Sequence, residues 1–147
     1  MSSTSLTGIR ACVFDAYGTL FDTAAAAARC KDALGDKFAP LAALWRDKQL
    51  QYRWLRGLQG RHADYWQVTG DALDFAMASL AIHDDRGLRD RLMALYLTLD
   101  VYPEVPDVLR ALKSRGMKTA ILSNGSPRML DAAIAQAGIA SLLDAVL

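Results

Sequence analysis

Phe14-Asp15-Ala16-Tyr17-Gly18-Thr19-Leu20 is the stretch on which the fold of this chain turns. It closes Ile9 to Phe14, a short and mostly apolar run that suits a buried strand of a parallel sheet. In open α/β sheets ligands bind just beyond the carboxyl ends of the strands, so Asp15 stands where a catalytic group belongs. Gly18 permits a tight or positive-φ turn that folds the backbone back over the carboxylate. The Thr19 hydroxyl can donate a hydrogen bond to that carboxylate and orient it. A carboxylate held in this way can act as a covalent nucleophile. An Asp here can equally cap the helix that follows, and the stretch by itself leaves both roles open.

Toward the C-terminus the same grammar repeats. Thr119 to Leu122, after Gly116, reads as a second strand. Val105, Val108, Leu109 and Leu112 before it lie at helical spacing, with Pro106 in the first turn and Gly116 at the end. Ser126 is placed to cap a further helix that begins at Pro127 and runs through Met129, Leu130, Ala133, Ile134 and Ala137 to Gly138. Leu142 to Leu147 can begin a third strand. Strands alternating with helices predict a doubly wound α/β sheet.

The middle of the chain differs. From about Thr23 to Leu99 no strand pattern is present, and Ala24 to Ala28 are strong helix formers. Leu41, Leu44, Trp45, Tyr52 and Leu55 form one helical stripe. Tyr65, Val68, Ala72 and Phe75 form a second, and Leu88, Leu92, Leu95 and Tyr96 a third. The reading is an α/β core made of residues 1–21 and 101–147, interrupted by a helical domain of residues 22–100.

Composition narrows the function. Hydrophobic residues make up 52% of the 147, enough for a real core. Net charge is +1 with Lys and Arg dispersed, against the clustered basic face of a nucleic-acid binder. No apolar run approaches the roughly 18 residues of a membrane helix. Met1 to Gly8 lacks a signal-peptide pattern, so a cytoplasmic protein is the expectation. Cys12 and Cys30 stand far apart and suggest reduced thiols, not a disulfide or zinc site. His62 and His83 are isolated and read as surface or packing residues.

Asp15-Ala16-Tyr17-Gly18-Thr19-Leu20 resembles the first motif of the haloacid dehalogenase (HAD) superfamily, whose Asp is a nucleophile. Ile121-Leu122-Ser123-Asn124-Gly125 resembles its second motif, and the helical insertion resembles its cap domain. Within the insertion, Leu44-Trp45-Arg46-Asp47-Lys48-Gln49-Leu50-Gln51-Tyr52 is similar to a segment of the L-2-haloacid dehalogenases, as are Trp54-Leu55-Arg56 and Ser123-Asn124-Gly125-Ser126-Pro127. The resemblance implies a HAD-like Rossmannoid core with a parallel sheet and a helical cap. It also implies no cofactor, no metal and a homodimer, with apolar cap faces as the interface.

Position 17 separates two branches of that superfamily. HAD phosphatases carry a second Asp there as general acid, and bind Mg²⁺ to neutralise phosphate; this chain has Tyr17. General acid catalysis is typically worth about 10²–10⁴-fold, and a tyrosine of pKa about 10 does not replace it. Halides leave as weakly basic anions and need no such acid. The resemblance makes Arg46 the halide's partner, with Leu50 and Trp54 following at i+4 and i+8 to give an apolar surround. Tyr65 is a candidate pocket wall. Ser123 and Asn124, with the backbone amides of Ala16 and Tyr17, are placed to hold a substrate carboxylate, aided by the helix N-terminus at Ser126.

The expected reaction joins Asp15 to the α-carbon of a short 2-haloalkanoate, releases halide toward Arg46, and hydrolyses the resulting ester. Thr19, Ser123 and Asn124 complete the catalytic set. The superfamily's third and fourth motifs, a Lys and an Asp or Asn, have no counterpart before Leu147, so slow turnover and a long-lived ester are expected of this chain. A Mg²⁺-dependent phosphatase and a non-catalytic HAD-like module are the alternatives.

Overall fold

The computed structural model describes residues 7–24 and 28–147. The strands are β1 (Ala11–Phe14), β2 (Lys118–Ile121) and β3 (Ala145–Val146). The helices are α1 (Lys31–Leu34), α2 (Phe38–Leu58), α3 (Tyr65–Ser79), α4 (Arg86–Leu95), α5 (Val105–Ser114) and α6 (Pro127–Ala137). Of the alanine run at 24–28, residues 25–27 lie outside the described residues, as do residues 1–6 of the N-terminal segment.

β1 pairs in parallel with β2, Ala11 opposite Lys118 and Phe14 opposite Ile121. β3 joins the other side of β2 in the same direction, Ala120 opposite Ala145. The parallel α/β architecture thus forms as the alternation of elements predicts, in the order β1-β2-β3. The burial of β1 differs from expectation. Val13 is 56% exposed, because no described helix packs over its face of β1. The third strand is also shorter than expected, a 3-10 turn over Ala140–Leu142 taking the start of its run.

Helix boundaries follow local chemistry. Asp64 caps α3 by accepting from the Trp66 N–H, and Asp85 caps α4 by accepting from the Leu88 N–H. Gly138, at φ +65, ends α6 in the left-handed region. Ser126 occupies the N-cap of α6 with extended backbone, but its side chain makes no capping bond. Its carbonyl accepts from the Met129 and Leu130 N–H groups, and its residue lines a cleft instead.

Between Thr23 and Leu99 the described elements are helical. α2 packs along α3, with Leu41, Trp45 and Gln49 as its buried residues. These advance four at a time, a row that drifts about 40° round the helix at each step. The drift carries Leu55 off the buried face, so it is 52% exposed against expectation. Phe75 is likewise 40% exposed, at the edge of the α2–α3 interface where it meets the Tyr52 ring edge-on and the Lys48 ammonium. Leu88, Leu92 and Tyr96 are buried as the third stripe predicts.

The chain leaves and re-enters the sheet unit at one place. The Asp22 N–H donates to the Asp100 carbonyl and the Tyr102 N–H to the Leu20 carbonyl, with Phe21 and Val101 forming an antiparallel bridge. Arg29 clamps this junction by pairing with Asp100 and donating to the Thr98 carbonyl. Cys12 and Cys30 form no disulfide. No described helix is long and apolar enough to cross a membrane.

Candidate active site

β1 ends at Phe14, and the next residue is Asp15. The backbone then turns sharply. The Ala16 carbonyl accepts from the N–H groups of Thr19, Leu20 and Phe21, and the Gly18 N–H donates to the Phe21 carbonyl at 2.8 Å. Gly18 takes φ +89, as the sequence predicts, and a Cβ there would stand 3.0 Å from Arg46 Nη2. Ala16 is fully buried and pins the turn. The N–H groups of Ala16 and Tyr17 donate to no described residue. Tyr17 lines the cleft beside Asp15, whereas Ala16, expected to share in holding a substrate carboxylate, is fully buried and does not reach it.

Asp15 is exposed and opens on a small cleft of about 40 Å³. Tyr17, Ser123, Asn124 and Gly125 line it from the strand ends; Arg46, Leu50, Arg53 and Tyr65 line it from the helices. Among the described residues a single carboxylate, that of Asp15, lines this space. A second, larger cleft of about 770 Å³ adjoins it and shares Arg53, Tyr65, Ser123 and Asn124, with Trp54, His62 and Ser126 further along.

Arg46 is held from several sides. Nη1 donates to Gln49 Oε1 at 2.9 Å and reaches the Tyr65 hydroxyl at 3.5 Å, while Nη2 donates to the Tyr17 carbonyl at 3.1 Å. The guanidinium is thereby tied to the very turn that presents Asp15. Its surround is not the apolar shell expected from Leu50 and Trp54. These are 41% and 70% exposed, since their side of α2 faces the open clefts.

The Tyr17 ring is buried, packed against Tyr65 at 5.5 Å and against Tyr96 and Phe21 at 6.1 Å. Its hydroxyl is buried without a hydrogen-bond partner among the described residues. Burial, with the neighbouring Tyr65 and Tyr96, pushes its pKa well above the usual phenol value. Such a phenol keeps its proton and cannot serve as a general acid near neutrality. Burial also raises the Tyr65 pKa, although Arg46 pulls it down.

Ser123 lies half-buried, its Oγ accepting from the Gly125 N–H at 3.1 Å and its own N–H donating to the Leu147 carbonyl. Asn124 is exposed at the mouth of both clefts. The structure therefore brings Asp15, Tyr17, Arg46, Leu50, Tyr65, Ser123 and Asn124 together. Thr19 departs from its expected position. It is exposed, does not line the cleft, and its hydroxyl bonds no described residue. The cause is the turn itself, in which residue 19 sits past Gly18 with its N–H drawn to the Ala16 carbonyl.

Sequence reasoning missed Gln49, Thr69 and Arg53. Gln49 and Thr69 are fully buried polar residues behind Arg46. The signal was present: Gln49 lies four residues after Trp45 and eight after Leu41, on the buried row. Arg53, which nothing in its sequence context separates from a surface arginine, lines both clefts.

The family model described as hydrolase, haloacid dehalogenase-like hydrolase, matches residues 9–147. The (S)-2-haloacid dehalogenase 4A of Burkholderia cepacia is 46% identical over 139 residues, which are 95% of this chain and 60% of that protein. A solved dehalogenase structure superposes with a TM-score of 0.94 at 45% identity, covering 97% of this chain and 63% of the other. The L-2-haloacid dehalogenase of Xanthobacter autotrophicus, solved with chloropropionic acid covalently bound, superposes with a TM-score of 0.86 at 41% identity, covering 95% of this chain and 56% of that one. The chain thus spans about 60% of the length of the curated relatives it matches.

Proposed function

Since the chain belongs to the haloacid dehalogenase-like hydrolases, we propose that it is built for hydrolytic dehalogenation of short L-2-haloalkanoic acids to D-2-hydroxy acids and halide. The observation that carries this reading is the meeting of Asp15 and Arg46 in one cleft, with the Tyr17 phenol locked into the core between them and the cap helices. A carboxylate and a fixed cation suit displacement of an anion from carbon. The relative solved with chloropropionic acid covalently bound supports an ester intermediate.

In the first step an Asp15 carboxylate oxygen attacks the α-carbon from the side opposite the halogen. The carbon–halogen bond breaks with its electron pair going to the halide, whose charge Arg46 stabilises. Ser123, Asn124 and the Tyr17 N–H hold the substrate carboxylate. In the second step water attacks the ester carbonyl of Asp15, and the hydroxy acid departs with its new C–O bond intact. One inversion at carbon accounts for the change from L to D. Residues 22–100 act as the cap over residues 1–21 and 101–147. A homodimer through the exposed apolar end of α2, where Leu58 is 83% exposed, and a cytoplasmic location belong to the same reading.

Halide release from L- and D-2-chloropropionate tests it, with Asp15→Asn as control. Release from the L form alone, lost in Asp15→Asn, is expected. Mg²⁺-stimulated phosphatase activity, or halide release that survives Asp15→Asn, overturns it.

A further inference from the structure

Behind Arg46 lies a polar chain closed off from solvent. Gln49 and Thr69 are both 0% exposed, and Tyr96 is 1% exposed. The chain has one possible direction. The Thr69 hydroxyl donates to the Tyr65 carbonyl at 2.7 Å, which a carbonyl can only accept. The Thr69 oxygen is then left to accept, and Gln49 Nε2 donates to it at 2.7 Å. With its amide nitrogen so engaged, Gln49 must turn its oxygen to the other side. There it accepts from Arg46 Nη1 at 2.9 Å and from the Tyr96 hydroxyl at 3.4 Å. The Trp45 indole N–H fixes the same region by donating to the Thr69 carbonyl. An amide of free orientation is thus locked with its oxygen toward the guanidinium.

The geometry points to Gln49 as the positioning residue for Arg46, an inference that rests on the role proposed above for Arg46 in receiving halide. Gln49 fixes the guanidinium through α2's own next turn, and the Tyr17 carbonyl fixes it from the nucleophile's turn. What matters is that its three described partners, the Gln49 amide, the Tyr17 carbonyl and the Tyr65 hydroxyl, are all neutral. A carboxylate at position 49 would hold Arg46 as firmly but cancel its charge, whereas an amide oxygen orients the cation and leaves its full charge for a departing anion.

Gln49→Met, Gln49→Glu and Arg46→Lys in the full chain test this. Met conserves volume and leaves the Thr69 donor satisfied, and a dispersed amide spectrum verifies folding. The first readout is the ¹⁵N–¹H spectrum of the guanidinium, assigned with Arg46→Lys. Arg46 should give resolved Nη protons in the parent chain and in Gln49→Glu, and averaged ones in Gln49→Met. The second is single-turnover halide release. Both Gln49 variants should slow release from 2-chloropropionate about 10- to 100-fold. KM should change little, and 2-bromopropionate should lose less because bromide needs less help to leave. Unchanged Arg46 resonances in Gln49→Met overturn the inference, as does unchanged chloride release in either variant. Failure of the parent chain to release halide at all would instead defeat the proposed function, and the guanidinium spectrum would then decide the positioning claim alone.

Discussion

Gly125 lies directly against Tyr17: a Cβ at position 125 would stand 2.7 Å from Tyr17 Cε2 and 3.1 Å from Leu130. The turn after β2 is thereby keyed to the aromatic ring that follows β1. Two loops distant in sequence close on each other through a missing side chain, and the cleft between Asp15 and Ser123 depends on that closeness.

Gly125→Ala is expected to destabilise the fold by about 1–3 kcal/mol, because the neighbours are a ring inside the core and a buried leucine that cannot swing away. Urea denaturation of the variant should show a lower midpoint with an unchanged slope. An unaltered midpoint would mean that the Tyr17 ring has room to move.

Thr69→Val keeps the shape of the side chain and removes the hydroxyl that links Gln49 Nε2 to the Tyr65 carbonyl. The Tyr65 carbonyl keeps its helical partner, the Thr69 N–H, but buried Gln49 Nε2 loses its acceptor, so a loss of about 1–3 kcal/mol is expected. Thermal and urea unfolding measure it.

Much of this was legible in the sequence, and the reasons are local. The end of β1, the positive φ of Gly18 and the stop at Gly138 follow from residue types that permit few alternatives. The meeting of Asp15 with Arg46 was legible only through resemblance, since nothing in the spacing singled Arg46 out from Arg53, which lines the same cleft. The Thr19 hydroxyl was misplaced because its direction depends on how the turn closes on the Ala16 carbonyl, which residue types do not reveal. Gln49 and Thr69 went unseen because a polar residue on an apolar row reads as a break in the stripe until its partners are known.

Acid sensitivity should centre on Asp144, which ties β3 to its neighbours. It accepts from Lys113 at 2.8 Å, from the Thr119 N–H at 2.8 Å and from Lys118 at 3.1 Å. The Lys113 bond first, then the Thr119 amide and Lys118, hold its carboxyl well below the usual carboxylate range. A pKa lower in the folded than in the unfolded chain gives stability that is present above about pH 4 and lost as pH falls toward the folded value. Urea midpoints of the parent chain should therefore drop between about pH 5 and pH 2, and those of Asp144→Asn should drop less. Equal acid limbs would contradict the assignment.

In the proposed mechanism Asp15 becomes covalently joined to the substrate carbon. Intact-mass analysis and peptide mapping after exposure of the chain to L-2-chloropropionate test it most directly. A carboxyethyl ester is expected on the peptide carrying Asp15, formed with release of one chloride and absent from Asp15→Asn. Chloride release with no adduct at Asp15, or an adduct that persists in Asp15→Asn, would contradict it.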